Sequence, residues 1–388
     1  MAYYSIFPEK DTTIYSHPDR KNMNSGRDEI LELVEEKATT GNTYYTSRIL
    51  MKFKNLDIKE VIENKLGNTF IDSNNAKAYL NLYSGENKSL TQGHIIEAWP
   101  LSQSFEEGLQ RYSAVPPSTT TGSNQAANGA TWIRRNENIS SVWTTSGFGA
   151  GSTGSYTTQA GGGTWYTGSA FRAEHSFYAE DNLDTNLDVT SIIQKFSASY
   201  YQSATYPTGI INNGFIIKKP RVTEEDGFGF GELQYFSSNT HTIYPPKLTF
   251  KWDDSSYVIG SGTVLNSGDI FLALHNNKGE FQRKSKQRFR LTTRKRYPDR
   301  TFTTTSNYLD LSYLPSTSYY SVRDSETDEV VIPFDTEYTK LSADSQGMYF
   351  DLFMEGFQPE RYYKIMFRVD NSEGINIHDE DYFFKVVR

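Results

Sequence analysis

A chain of 388 residues has room for two domains or for one large all-β domain, and its net charge of −8 sets polyanionic partners such as nucleic acid and anionic membranes aside. The absence of cysteine excludes disulfides, thiol chemistry and thiolate metal sites, and suits folding in a reducing cytoplasm. No stretch nears the roughly 18 apolar residues of a membrane span, and MAYYSIFPEKDTT lacks the basic region and apolar run of an export signal, so an unsecreted product is expected.

With 27 Tyr and 24 Phe among abundant Thr, Ser and Asn, the vocabulary is that of strands and turns. The first strand signal is DTTIYS at residues 11 to 16, followed by the polar HPDRKNMNSG and by the apolar alternation of DEILELVEE. SRILMKFKNL places Ile49, Met51 and Phe53 on one face and Arg48, Lys52 and Lys54 largely on the other, the period of a half-buried strand. DIKEVIENKLG spaces Ile58, Val61, Ile62 and Leu66 as a short amphipathic helix does, placed to plug one end of a sandwich. Ala78 to Tyr83 alternates again, and DVTSIIQKF predicts a helical turn capped by Asp188 or Thr190 with Ile192, Ile193 and Phe196 inward.

Residues 114 to 170 differ. They are rich in Gly, Ser and Thr and poor in aliphatic side chains, so they predict a long excursion that Trp132, Trp143 and Trp165 anchor to something else. From about residue 255, short strand patterns such as GDIFLALHN, YYSVRD and YYKIMFRV recur at intervals of 8 to 15 residues, the signature of an immunoglobulin-like or related antiparallel sandwich.

Taken in order, DTTIYSHPDRKNMNSGRDEILEL, RILMKF, AYLNLY, HIIEAWPLSQSFEEG, NGATW, LDVTSIIQKF, NNGFIIKK and FSSNTHTIYPPKLTFKWDD resemble the DNRLRE family of jelly-roll domains over about residues 8 to 254. The resemblance implies a sandwich close to carbohydrate-binding modules, found on microbial surface proteins and phage structural proteins, without conserved catalysis. The Gly-rich insertion between Trp132 and Phe171 departs from the compact version of that family. The C-terminal part, from YYSVRDSETDEVVIPF through GFQPERYYKIMFRVD to DYFFKVVR, is similar to terminal sandwich domains of tailed-phage virion proteins, those of T4-like cyanophages in particular. The expected organisation is therefore all-β: a jelly-roll domain over 1–252 with short helices and the Gly-rich insertion, then an immunoglobulin-like sandwich over 253–388, joined through DDSSY.

Catalytic signals are sparse. The six histidines stand singly, with no HExxH or HxH spacing for zinc, and no GxSxG elbow anchors a serine nucleophile. Glu106-Glu107, Glu224-Glu225-Asp226 and Asp253-Asp254 are the visible acid pairs for glycoside hydrolysis, but adjacent acids on a strand point to opposite faces. Asp19, Asp28 and the acidic loops offer hard oxygens for calcium, yet DNSEGINIHDE lacks EF-hand spacing, so neither cofactor nor metal is expected.

Interface signals are stronger. QRKSKQRFRLTTRKRYPDR reverses the sign of the chain with Arg283, Lys284, Lys286, Arg288, Arg290, Arg294, Lys295, Arg296 and Arg300, and it alternates Arg288 and Arg290 with Phe289 and Leu291 as a charged stripe over a core. Docking to an acidic neighbouring subunit is the functional reading of that stripe, ahead of DNA contact. Trp132, Trp143, Trp165 and Tyr156 in their Gly/Ser-rich setting read as interface anchors, or as a platform for stacking on sugar rings. Trp99 and Trp252, set in strand patterns, are expected in the core, worth roughly 1.5–3 kcal/mol each. The expectation is a non-enzymatic virion building block made in the host cytoplasm, present in many copies in a symmetric assembly, with other phage virion proteins as partners. A carbohydrate-binding module meeting a host glycan, and a polysaccharide depolymerase, are the alternatives.

Overall fold

The computed structural model describes residues 2–37, 44–66, 76–88, 90, 93–112, 128–143, 149–150, 161–178, 180–199, 209–225, 231–266, 268–297 and 311–388. The chain is all-β and forms two compact units, Ile6–Thr249 and a second built from Phe250–Arg388 together with Met1–Ser5. The contiguous division into 1–252 and 253–388 thus differs from the structure at both ends. The first residues belong to the C-terminal unit, where Tyr4 meets Phe353 edge-on at 6.0 Å and donates its hydroxyl to Glu355 at 2.7 Å, and DDSSY falls inside that unit instead of between the two.

In the Ile6–Thr249 unit one large sheet runs in the order Ala173–Tyr178, Gly93–Pro100, Phe215–Lys218, Tyr44–Phe53, Ile30–Lys37, Gly231–Phe236, with Pro8–Tyr15 also paired to Tyr44–Phe53. A smaller sheet places Ala76–Leu82 between Thr185–Asp188 and Lys247–Trp252. Strict alternation makes the smaller sheet one-sided: Ala76, Ala78, Leu80 and Leu82 are buried and the residues between them are not. The two sheets are joined across the core where the Thr185 hydroxyl donates to the Tyr235 hydroxyl at 2.8 Å. The predicted helices form as Asn55–Val61, running on into a π-turn at Ile62–Leu66, and as Thr190–Ser197. Asp188 accepts from the backbone N–H and the hydroxyl of Thr190, and Ile192, Ile193 and Phe196 are buried.

The Tyr44–Phe53 strand departs from its reading as half-buried. Leu50 is as buried as Ile49, Met51 and Phe53, and Arg48 is 2% exposed. The physical reason is position: three neighbouring strands pair along it, and its second face is covered by the tryptophan-bearing segment, so residues 46–51 are buried on both faces while Tyr45 and Lys52 stay partly exposed.

The second unit is a sandwich of two sheets. One contains Lys286–Lys295 flanked by Ile270–His275 and Gly347–Phe353, and the other contains Gly374–Val387, Tyr362–Asn371 and Ser318–Asp324. Aromatic rings interdigitate between them: Phe350 stacks on Phe289 of its own sheet at 5.3 Å and on Tyr320 of the facing sheet at 4.6 Å, and meets Phe367 edge-on at 5.9 Å. Trp252 is buried, as expected, against Phe353. No helix among the described residues is long and apolar enough to cross a membrane.

Candidate functional site

The outer face of the large sheet carries the first concentration of chemistry. Ile14, Leu50 and Ile216 project from its strands, Leu101 follows directly after one, and Phe105, Ala130, Trp132, Trp143 and Trp165 close over them. Trp132, Trp143 and Trp165 are 3%, 2% and 8% exposed, so the reading of these three as anchors to another molecule, or as a sugar platform, is corrected: they seal the segment to its own sheet. Tyr156 lies outside the described residues. Trp99 is half-buried at the margin of the cluster and donates its indole N–H to Glu97 at 3.0 Å.

Arg48 stands inside this cover. Its guanidinium lies 4.8 Å from the Trp132 ring and 5.4 Å from the Trp165 ring. It donates twice to the Glu224 carboxylate, at 3.0 and 2.7 Å, and once to the Gly162 carbonyl at 2.7 Å. Gly162 has φ +78°, and a Cβ there would fall 2.7 Å from both the guanidinium and the Trp132 ring, so part of the Gly-rich composition is demanded by this close approach. Lys218 extends the network to Glu224 at 3.7 Å and Glu97 at 3.6 Å; burial lowers its ammonium pKa below the usual range, and the two carboxylates oppose that shift. Glu224 is therefore committed to ion pairing, which removes it from the acid pairs considered for hydrolysis.

A polar cavity of about 440 Å³ lies on the same unit, lined by Lys10, Glu106, Glu107, Asn128, Asn136 and Asn138 among others. Glu106 pairs with Lys10 at 2.8 Å, and Glu107 accepts the Asp11 N–H at 3.3 Å. Behind it Asp11 is 1% exposed, and burial pushes its carboxyl up to about 7 against the bond donated by the Ser238 N–H. Burial likewise lifts Glu32 to about 7, although the Tyr15 hydroxyl donates to it at 2.7 Å. The folded protein binds these two protons more tightly than the unfolded chain, whose carboxyls have reference values of 3.8 and 4.5. The contribution of these two groups to stability is then full below about pH 4 and is lost as pH rises toward 7, at up to about 1.4 kcal/mol per pH unit for each group. Urea unfolding between pH 4.5 and 8, followed by tryptophan fluorescence, should show this fall, and Asp11→Asn should flatten it; an unchanged slope in that variant contradicts the assignment. A second, more apolar pocket of about 380 Å³ is lined by His94, Ile95, Phe177, Tyr178, Lys219 and Thr223, with His94 stacked on Phe177 at 5.6 Å.

In the second unit the basic stripe is only partly free. Arg288 donates twice to Asp351, which Lys286 also meets at 2.9 Å, and Arg290 donates twice to Asp344. These bonds hold both aspartates below the usual carboxylate range, Asp351 against its burial. The reading of Lys286, Arg288 and Arg290 as uncompensated docking charge is corrected accordingly: strand pairing brings the acids opposite them, Asp351 facing Arg288 in register. Phe289 and Leu291 are buried on the other side of the strand as the alternation requires. Arg283, Lys284, Arg294, Lys295 and Arg296 are exposed, and Arg294 lies 4.7 Å over the Phe271 ring, itself 39% exposed. Arg300 lies outside the described residues. Sequence reasoning singled out neither Asp344 and Asp351 nor Asn24, which organises the polar cavity; the only signal for the aspartates was their place on alternating strands some 60 residues further on.

Among the described residues no group of three or more His, Asp or Glu is arranged to hold a metal ion. No family model matches the chain, and no curated protein matches it. Among solved structures it is similar to a crystal structure of a DUF4785 family protein from Legionella pneumophila, at 9% identity and a TM-score of 0.19, over 98% of this chain and 66% of that one. The chain thus spans slightly under two thirds of that protein's length.

Proposed function

We propose that the chain is a non-enzymatic structural protein of a tailed-phage virion that works through protein–protein assembly. The observation that supports this reading is the surface around Arg294 and Phe271, continued by exposed Arg296 and by Tyr297 at 77% exposure. Arginine and aromatic side chains are the residues most enriched in protein interfaces. On a chain of net charge −8 such a patch steers and orients an acidic neighbour. The likeness of the C-terminal strands to terminal domains of tailed-phage proteins gives the assembly its proposed setting, in which repeated copies meet symmetric neighbours. The sugar-platform alternative loses its support once the three tryptophans are buried.

Quantitative mass spectrometry of washed particles should find the chain in fixed stoichiometry, and Arg294→Glu/Arg296→Glu should lower its incorporation at least tenfold while leaving its thermal midpoint in place. Particles that lack the chain, or that take up the charge-reversed protein equally well, would refute this reading.

A further inference from the structure

The polar cavity is a built feature. Two loops form its walls, and both are pinned by one side chain: Asn24, fully buried, donates its carboxamide N–H groups to the Glu107 and Ala130 carbonyls at 2.7 and 2.8 Å. Its Oδ1 accepts from the Gly26 and Gln110 N–H groups at 3.2 and 3.4 Å. The loops approach so closely that a Cβ on Gly108 would lie 2.0 Å from Asn24 Oδ1, and one on Gly129 would lie 2.4 Å from the Gly108 Cα. The far wall is held by Arg134, which bonds Glu137, and by Glu137, which the Thr131 hydroxyl reaches at 3.4 Å. Walls fixed in this way cost little to order when a ligand enters.

The side chains that face the space decide what enters. Asn128 Oδ1 accepts the Leu109 N–H at 2.9 Å, and Asn136 Oδ1 accepts the Asn138 N–H at 3.0 Å. Each carboxamide oxygen is thus engaged, and among the described residues the Nδ2 groups of both are left to donate. Glu106 and Glu107 bring acceptors and repel an anion, and the Lys10 ammonium, 2.8 Å from Glu106, offsets the charge of that one glutamate. No aromatic ring lines the cavity among its described residues, and Leu109, 63% exposed, is the apolar element at its rim. Fixed donors beside fixed acceptors, with one net negative charge from Lys10, Glu106 and Glu107 that turns anions away and with one small apolar patch, match a neutral molecule dense in hydroxyl groups.

We propose that this cavity binds a neutral saccharide unit through Asn128, Asn136 and the two glutamates. The site is separate from the buried tryptophans and independent of the assembly surface on the other unit. It is tested on the full chain with an array of neutral and sialylated oligosaccharides, comparing wild type with Asn128→Asp/Asn136→Asp. Those substitutions keep the oxygens that hold the two loops and remove the free donors. Neutral glycans should be retained by the wild type and sialylated ones not, and the double variant should bind at least tenfold more weakly with an unchanged thermal midpoint. Retention of no glycan, retention of sialylated glycans alone, or equal binding by the double variant overturns the proposal. Should the double variant lose its fold, Leu109→Asp at the exposed rim is the substitute, and equal glycan binding by it again counts against the site.

Discussion

Replacing Arg48 by Ala should destabilise the Ile6–Thr249 unit by about 3–5 kcal/mol, the usual result of removing one partner of a buried ion pair. Its carboxylate partner Glu224 is 1% exposed and would lose both guanidinium hydrogen bonds, with Lys218 standing farther off at 3.7 Å. The Gly162 carbonyl would lose its donor, and the Trp132 and Trp165 rings would lose the cation between them. For a unit of this size the thermal midpoint should drop on the order of 10 °C. Urea unfolding followed by tryptophan fluorescence reads the change where it occurs, because two indoles border the guanidinium. Substituting both partners together, Arg48→Met with Glu224→Met, should cost less than Arg48→Ala, since no carboxylate is left without its guanidinium and Lys218 keeps Glu97 at 3.6 Å. A single variant within about 1 kcal/mol of the wild type would mean that the pair is hydrated and that the cover over the sheet is not closed.

Trp143→Ala is the second large effect. The indole is 2% exposed within a cluster that includes Ile14, Leu50, Phe105 and Ile216, and it donates to the Thr131 carbonyl at 3.1 Å. Truncation leaves a cavity and an unsatisfied carbonyl, for an expected loss of about 3–5 kcal/mol. Trp143→Phe keeps most of the apolar contact and loses the hydrogen bond, so it should fall between the two, near 1–2 kcal/mol below wild type. Chemical denaturation of the three proteins should therefore rank wild type, Phe and Ala in that order. If Ala matches wild type, the segment 128–143 is not sealed to the sheet and an exposed role for its tryptophans returns.

How far the fold was legible depended on whether a residue's surroundings were local. Ala76 to Leu82 alternates in burial as its letters do, because one face of that strand has the core and the other has solvent. The turn of helix after Asp188 is legible because its apolar spacing lies within a few residues, although the N-cap position falls to Val189 instead of Asp188 or Thr190. Arg48 reads as a solvent-facing charge because its partner Glu224 lies 176 positions away, and nothing near RILMKF announces a carboxylate. A signal was nevertheless present: Ile49, Leu50 and Met51 run without alternation, the pattern of a strand covered on both faces. The tryptophans read as anchors to another molecule because glycine-rich sequence cannot bury much apolar surface by itself; the sheet beneath them supplies Leu50 and Ile216, and only the fold brings these together. The polar cavity was illegible for a similar reason. Asn24 is one asparagine among many until two loops, some 80 and 105 residues onward, close on its carboxamide.

The strand Ala2–Ile6 has a consequence for biosynthesis. Its neighbour, Lys247–Trp252, follows it by roughly 240 residues, and at ribosomal speeds that is a delay of about 12–50 s. Through that interval the leading segment is tethered to a growing body that can already condense, with its own hydrogen-bonding edge unclaimed. Tyr4, whose hydroxyl finally donates to Glu355 at 2.7 Å, must remain unattached longer still. A substitution within Ala2–Ile6, such as Tyr4→Ala, would therefore act at a distance in sequence, on the Phe250–Arg388 unit to which that segment belongs.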